Sequence, residues 1–398
     1  MTKDNPHGST TDPAAPADNG QRTTDSFEVG PIRPPSEAGS YLLRLTRNCP
    51  WNRCAFCRTY KRGRFSLRTP EEIEADIDAM ARIRDGLQGT GADGGPRRAV
   101  RLGPVRTDAE YGVANALAHG GRTAFLQDAD SLIMKPAQVR RVLAYFRNRF
   151  PEIERITTYA RSRTVARLSV EDLRSYGEHG LTRIHIGMES GHDPLLRLIS
   201  KGATAELHIR AGRRVVEAGL ELSEYVMPGL GGCEMSEGHA RDTARVLNAI
   251  DPHFIRFRTL CLGPKLPLWA LFHGPDAPLS RQTDVEVLSE IRDFLAGLEG
   301  IHSRVASDHI LNLLGDLEGQ LPDDRGPLLA QCDAFLSLDP GEQRLYQAGR
   351  RAGLLEGLRD LERPGLRARA EAVLAELTRA YGPGGVEDGI RSLMERFV

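Results

Sequence analysis

From Tyr41 onward the apolar positions alternate between two spacings. Short runs rich in branched and aromatic residues read as strands: YLLRLT (41–46), AVRLG (99–103), TAFLQ (123–127), ITTYA (156–160), RIHIGM (183–188), LELSEYVM (220–227) and FIRFRTL (254–260). Between them the apolar residues recur at three and four. Ile73, Ile77, Met80 and Ile83 form one such stripe, and Val139, Val142, Leu143 and Phe146 another. Thr69, Pro70 and Glu72 are placed to cap the first helix, and Ser169 and Gly180 to bound a later one. Further helices are predicted near 108–119, from Thr204 to Gly219 and from Ser236 to Ile250.

Alternating strands and helices over about 220 residues predict a parallel sheet covered by helices. A partly closed barrel and a doubly wound sheet both satisfy the pattern, and both put the ligand site at the carboxyl ends of the strands. After about residue 265 the strand signals thin. The stretches 285–298, 326–338 and 366–382 read as amphipathic helices. Residues 1–36 are rich in Pro, Gly, Ser, Thr and Asp and predict a disordered tail. The expected domains are therefore a tail over 1–36, an α/β core over 37–265 and a mainly helical extension over 266–398.

Composition narrows the classes. A net charge of -1 gives no global pull toward nucleic acid or a membrane surface. No stretch holds the roughly 20 apolar residues of a membrane span, and the N-terminal residues lack an apolar secretory core. A cytoplasmic, reducing location is the expectation, in which clustered cysteines bind metal rather than form disulfides. Three of the six cysteines, Cys49, Cys54 and Cys57, lie within NCPWNRCAFC, just after the first strand. Cys233, Cys261 and Cys332 stand alone and read as small apolar fillers.

A structural zinc site needs four ligands, and residues 58–118 supply neither Cys nor His. Three thiolates suit an iron–sulfur cluster with one iron left open to a ligand. Other polar or glycine-rich segments follow later strands: Gln127-Asp128-Ala129-Asp130, Glu189-Ser190, and Pro228 through Gly232. All fall on one predicted rim.

The cysteine loop resembles that of the radical S-adenosylmethionine (radical SAM) superfamily, with one extra residue between the first two cysteines and with Phe56 before the last. Across residues 40–265 the chain is most similar to the coproporphyrinogen-oxidase-like and Elp3-like branch. The resemblance implies a partial (β/α)6 barrel and a 4Fe-4S cluster on Cys49, Cys54 and Cys57. It also implies reductive cleavage of SAM and hydrogen abstraction from a small-molecule substrate, with an electron donor such as flavodoxin or ferredoxin. By the same resemblance Gln127, Asp128 and Asp130 would meet the SAM ammonium, and Glu189 with Ser190 the ribose hydroxyls. Lys201 would meet the SAM carboxylate, and Gly229, Gly231 and Phe56 the adenine. A cluster-bearing haem-chaperone-like protein is the alternative, for which His185, His192 and His309 are available ligands. Substrate contacts are expected from Tyr159, Arg161, Tyr225, Arg256, Arg258, Ser307, Asp308, His309 and Asn312. The arginines would suit a carboxylate or phosphate.

Overall fold

The computed structural model describes residues 26–61, 63–88 and 107–395. Six parallel strands form in chain order: β1 (Tyr41–Arg44), β2 (Thr123–Gln127), β3 (Arg155–Ala160), β4 (Leu181–Glu189), β5 (Glu221–Val226) and β6 (Phe254–Phe257). Each pairs with the next, so the order never reverses as it must in a doubly wound sheet. The first and last strands of the sheet do not pair with each other, which makes this a partial barrel.

The helix α1 (Pro70–Gln88) shows why the sequence signals held. Thr69 Oγ1 accepts from Glu72 N at 3.2 Å and Glu72 Oε2 from Thr69 N at 2.8 Å, a reciprocal cap. Its stripe of Ile73, Ile77, Met80 and Ile83 is buried against the sheet. The helices α2 (Asp108–Ala118), α3 (Pro136–Arg149), α4 (Val170–Glu178), α5 (Ala205–Glu217) and α6 (Gly232–Ile250) complete the crossovers. The expected strand at 99–103 lies outside the described residues.

The sheet continues beyond the expected boundary at 265. β7 (Arg304–Ala306) adds to β6 in parallel, and β8 (Glu318–Gln320) closes it antiparallel. These strands have three residues each, too short for a period-two pattern to register in the sequence. The helices α7 (Asp284–Ala296), α8 (Arg325–Leu336), α9 (Pro340–Arg351), α10 (Pro364–Tyr381) and α11 (Val386–Glu395) surround them. One contiguous apolar core runs from Tyr41 to Ala370. No helix among the described residues is long and apolar enough to cross a membrane.

The described part of the expected tail is pinned to the barrel. Gln127 accepts from Gly30 N at 2.8 Å and donates to Gly30 O at 3.1 Å and Ile32 O at 2.9 Å. Glu28 pairs with Arg44 and Arg47. Composition understated this segment because its order comes from bonds to residues far along the chain rather than from its own apolar surface.

Arg351 fastens the extension to the site. Its buried guanidinium meets Asp284 at 2.6 and 3.0 Å and Leu311 O at 2.8 Å. Arg351→Ala leaves the Asp284 carboxylate without its partner and is expected to cost about 3–5 kcal/mol, read as a lowered urea midpoint.

Candidate functional site

The loop after β1 carries the three cysteines, and its shape is set by its neighbours. Asn48 and Asn52 take positive φ angles of 65° and 46°, a region that Asn tolerates better than most residues. Asn48 Nδ2 donates to Arg64 O at 2.7 Å, and Asn52 Nδ2 to Tyr60 O at 2.6 Å. Trp51 Nε1 donates to Ser200 O at 2.7 Å, Ala55 N to Ile199 O at 2.8 Å, and Leu268 N to Ala55 O at 3.1 Å. Segments from three parts of the chain thus fix one short loop.

Asp128 holds both ends of that loop. It is fully buried and accepts from Asn48 N at 2.9 Å, Tyr60 Oη at 2.6 Å, and Arg44 at 2.7 and 3.1 Å. Asn48 precedes the first cysteine and Tyr60 follows the last. Burial first, and then the adjacent carboxylate, push the Tyr60 hydroxyl far above its usual range, so it stays a neutral donor.

Cys49, Cys54 and Cys57 all line one cavity of about 230 Å3 at the carboxyl ends of the strands. All three are free thiols with partial exposure. Burial pushes the Cys54 thiol up, an effect that the charges of Lys201 and Arg161 oppose. Among the described residues no three His, Cys, Asp or Glu side chains converge as ligands of a single ion.

Glu189 and Lys201 line the same cavity and pair at 3.0 Å. Glu189 ends β4 with φ 66°, an uncommon conformation for a residue with a side chain, of the kind found at functional sites. Gly187 makes the pair possible, since a Cβ there would stand 2.5 Å from Glu189 Oε1. Burial lowers the Lys201 pKa, but the Glu189 charge, the Cys54 thiol and the hydrogen bond to Glu189 together hold the amine above its usual value. Its Nζ lies 5.5 Å from the centre of the Phe56 ring, which also faces the cavity. Glu189 pairs with neither Arg183 nor Arg161. Arg183 pairs with Glu221, and Arg161 donates to Lys201 O at 2.9 Å and stacks on Trp51.

A scan of family profiles matches the description "Radical SAM superfamily" over residues 43–242, half of the chain. The chain belongs to the radical SAM superfamily. Its cofactors are the family's 4Fe-4S cluster and SAM, and the placement of three thiols beside a buried acid–base pair fits both. Solved structures of similar fold include the radical SAM methyltransferase TsrM from Kitasatospora setae, at 17% identity over 59% of this chain and 38% of that one, TM-score 0.40. Methylornithine synthase PylB aligns at 13% identity over 74% and 68%, TM-score 0.41. The coproporphyrinogen III oxidase HemN from Escherichia coli aligns at 17% identity over 44% and 40%, TM-score 0.37. The chain therefore spans well under two thirds of TsrM and HemN. No curated protein sequence matches it.

Several radical SAM contacts expected from the sequence are spent elsewhere. The Gln127 amide serves Gly30 and Ile32, and Asp128 clasps the loop, so neither side chain lines the cavity. Asp130 is fully buried and accepts from Arg161 N at 3.1 Å and Thr164 Oγ1 at 2.6 Å. Of this turn only Ala129 borders the cavity. Ser190 bonds His239 at 2.9 Å and accepts from His192 N at 3.0 Å, which shapes the turn after Glu189. Gly229 donates to Glu290 at 2.9 Å, and Gly231 packs on Met235 and Leu195. Neither lines the cavity, where Met227 takes the place expected of them. In each case a partner distant in sequence claimed a group that looked free.

Cys261, Arg58 and Arg163 line the cavity and were not expected there. Cys261 had been read as filler, with no flanking motif to mark it. Arg58 follows the last cysteine directly, the one local signal that could have shown its position.

Burial raises the Asp130 pKa from 3.8 to about 6, despite its two donors. The folded state therefore holds this proton more tightly than the unfolded one, so the contribution of Asp130 to stability falls as pH rises from about 4 to about 6. Relative to Asp130→Asn, wild-type protein is expected to lose stability across that window and to level off above it. Urea midpoints of both proteins at stepped pH check this.

Proposed function

We propose that the chain is a radical SAM enzyme in which Cys49, Cys54 and Cys57 hold a 4Fe-4S cluster and the adjoining cavity holds SAM and a small-molecule substrate. The observation that carries this reading is the meeting of the three thiols with the Glu189–Lys201 pair in one cavity. When bound, the cluster and SAM supply an electron and a radical able to abstract hydrogen from substrate. A low-potential donor of flavodoxin or ferredoxin type provides the electron.

The chain's own residues bind and orient. Lys201 suits the SAM carboxylate, and Glu189 can accept from ribose hydroxyls or from the ammonium. SAM is zwitterionic at its amino-acid end, so it can exchange partners with this pair and leave neither charge unpaired. Phe56 offers a ring face to adenine, and Ala129 a backbone carbonyl. Lys201→Gln is expected to weaken SAM binding about 10-fold or more, in line with loss of a charged hydrogen bond, while the iron content stays unchanged. Equilibrium dialysis with labelled SAM reads the first quantity and a colorimetric iron assay the second.

The haem-chaperone alternative gains no support from the site, because His185, His192 and His309 are all absent from the cavity lining. Anaerobic reconstitution followed by dithionite and SAM tests the main reading. Formation of 5′-deoxyadenosine supports it, and SAM left intact with a full cluster overturns it.

A further inference from the structure

The charge around the cavity exceeds what SAM requires. Arg58, Arg161, Arg163, Arg258 and Lys201 line it, against one carboxylate, Glu189, which Lys201 already occupies. SAM carries a sulfonium and an ammonium against one carboxylate, and a 4Fe-4S cluster on three thiolates carries a net charge of about -1, so the two together leave the positive balance unchanged. Among the described residues neither Arg58 nor Arg258 has a carboxylate at ion-pair distance, whereas Arg256 is taken by Asp308.

Arg258 stands apart from the cysteine loop, just beyond β6, and its backbone N–H bonds Val226 O at 2.9 Å. Its charge reaches Tyr159 and Tyr225, which also line the cavity with rings 6.4 Å apart. The Tyr225 hydroxyl is closed to solvent and lies against Tyr159, and burial keeps both phenols protonated. Nearby His309 is held neutral, its pKa lowered to about 4 by burial and then by Arg258. Tyr225 also feels the charges of Arg256 and Asp308, which pair with each other.

Resting on the reading above, we propose that the substrate is an anionic small molecule whose carboxylate or phosphate meets the Arg258 guanidinium in the cavity. A planar guanidinium matches either anion in a bidentate fork. Arg58 and Arg163 are exposed at the mouth and attract the anion in a salt-dependent way.

Cluster-reconstituted protein saturated with SAM is titrated calorimetrically with inorganic phosphate, with succinate, and with neutral succinamide. At least one anion is expected to bind saturably, and succinamide not to bind. Tighter phosphate binding identifies a phosphate ester as the substrate class, and tighter succinate binding a carboxylate; each supports the proposal. Arg258→Gln should weaken the anion by about 10-fold, while SAM affinity stays within about twofold of wild type. Arg258 is exposed and unpaired, so its replacement leaves the fold intact. Binding of neither anion, or equal binding by Arg258→Gln, overturns the proposal. Failure of the underlying radical SAM reading shows separately, as absence of 5′-deoxyadenosine.

Discussion

Replacing any one of Cys49, Cys54 or Cys57 with alanine is expected to remove the bound iron and to abolish SAM cleavage. Loss of a supporting residue around a metal typically costs about 10–100-fold, and loss of a direct ligand from a site with only three should exceed that. Cys261 makes the experiment sharper, because it lines the same cavity and is a free thiol. Were it a fourth ligand, the cluster would be closed and SAM would have no iron to bind. The account predicts that Cys261→Ala keeps its iron and still binds SAM, and that Cys233→Ser and Cys332→Ala behave the same way. Iron and sulfide content per chain, measured on anaerobically purified variants, separates the loop cysteines from the other three.

Asp128 gives the second large effect. Asp128→Ala leaves the Arg44 guanidinium, the Tyr60 hydroxyl and the Asn48 amide without their common acceptor. Removing one side of a buried ion pair costs about 3–5 kcal/mol, so the variant should be strongly destabilised even before a cluster is added. Asp128→Asn keeps the shape but loses the charge, and is expected to fall between. Tyr60→Phe gives up one bond and should cost about 1–3 kcal/mol. Since the carboxylate ties the residue before Cys49 to the one three places after Cys57, iron incorporation should fall along with stability. If Asp128 instead met the SAM ammonium, Asp128→Asn would weaken SAM binding and leave apo-protein melting and iron content alone. Thermal melting of the apo form and iron content after reconstitution distinguish these roles.

The two aspartates around Ala129 show where the sequence was legible and where it was not. Strand and helix positions could be read because they follow local periodicity, as at Ile73, Ile77, Met80 and Ile83 on one helix face. The cysteine loop could be read because its three cysteines lie within nine residues. Glu189 stood out by its position at a strand end and Lys201 by the family resemblance, and they do meet. Asp128 and Asp130 also followed a strand, yet their oxygens are engaged by Arg44, Tyr60, Arg161 and Thr164. Which of two adjacent carboxylates faces a cavity and which faces the protein depends on partners up to 84 residues away, and no local pattern carries that information. Gly229, with a positive φ of 82°, donates its N–H to Glu290, a partner 61 residues on that no local pattern shows. The short strands β7 and β8 escaped notice because three residues do not establish a period.

The central claim is that three thiolates hold a cluster whose remaining iron is open to SAM. Mössbauer spectroscopy of protein reconstituted with iron-57, recorded with and without SAM, tests it most directly. The account predicts about four irons per chain, of which one changes its signal when SAM is added while the other three do not. Four irons that all ignore SAM, or a colourless protein holding a single zinc, would contradict it.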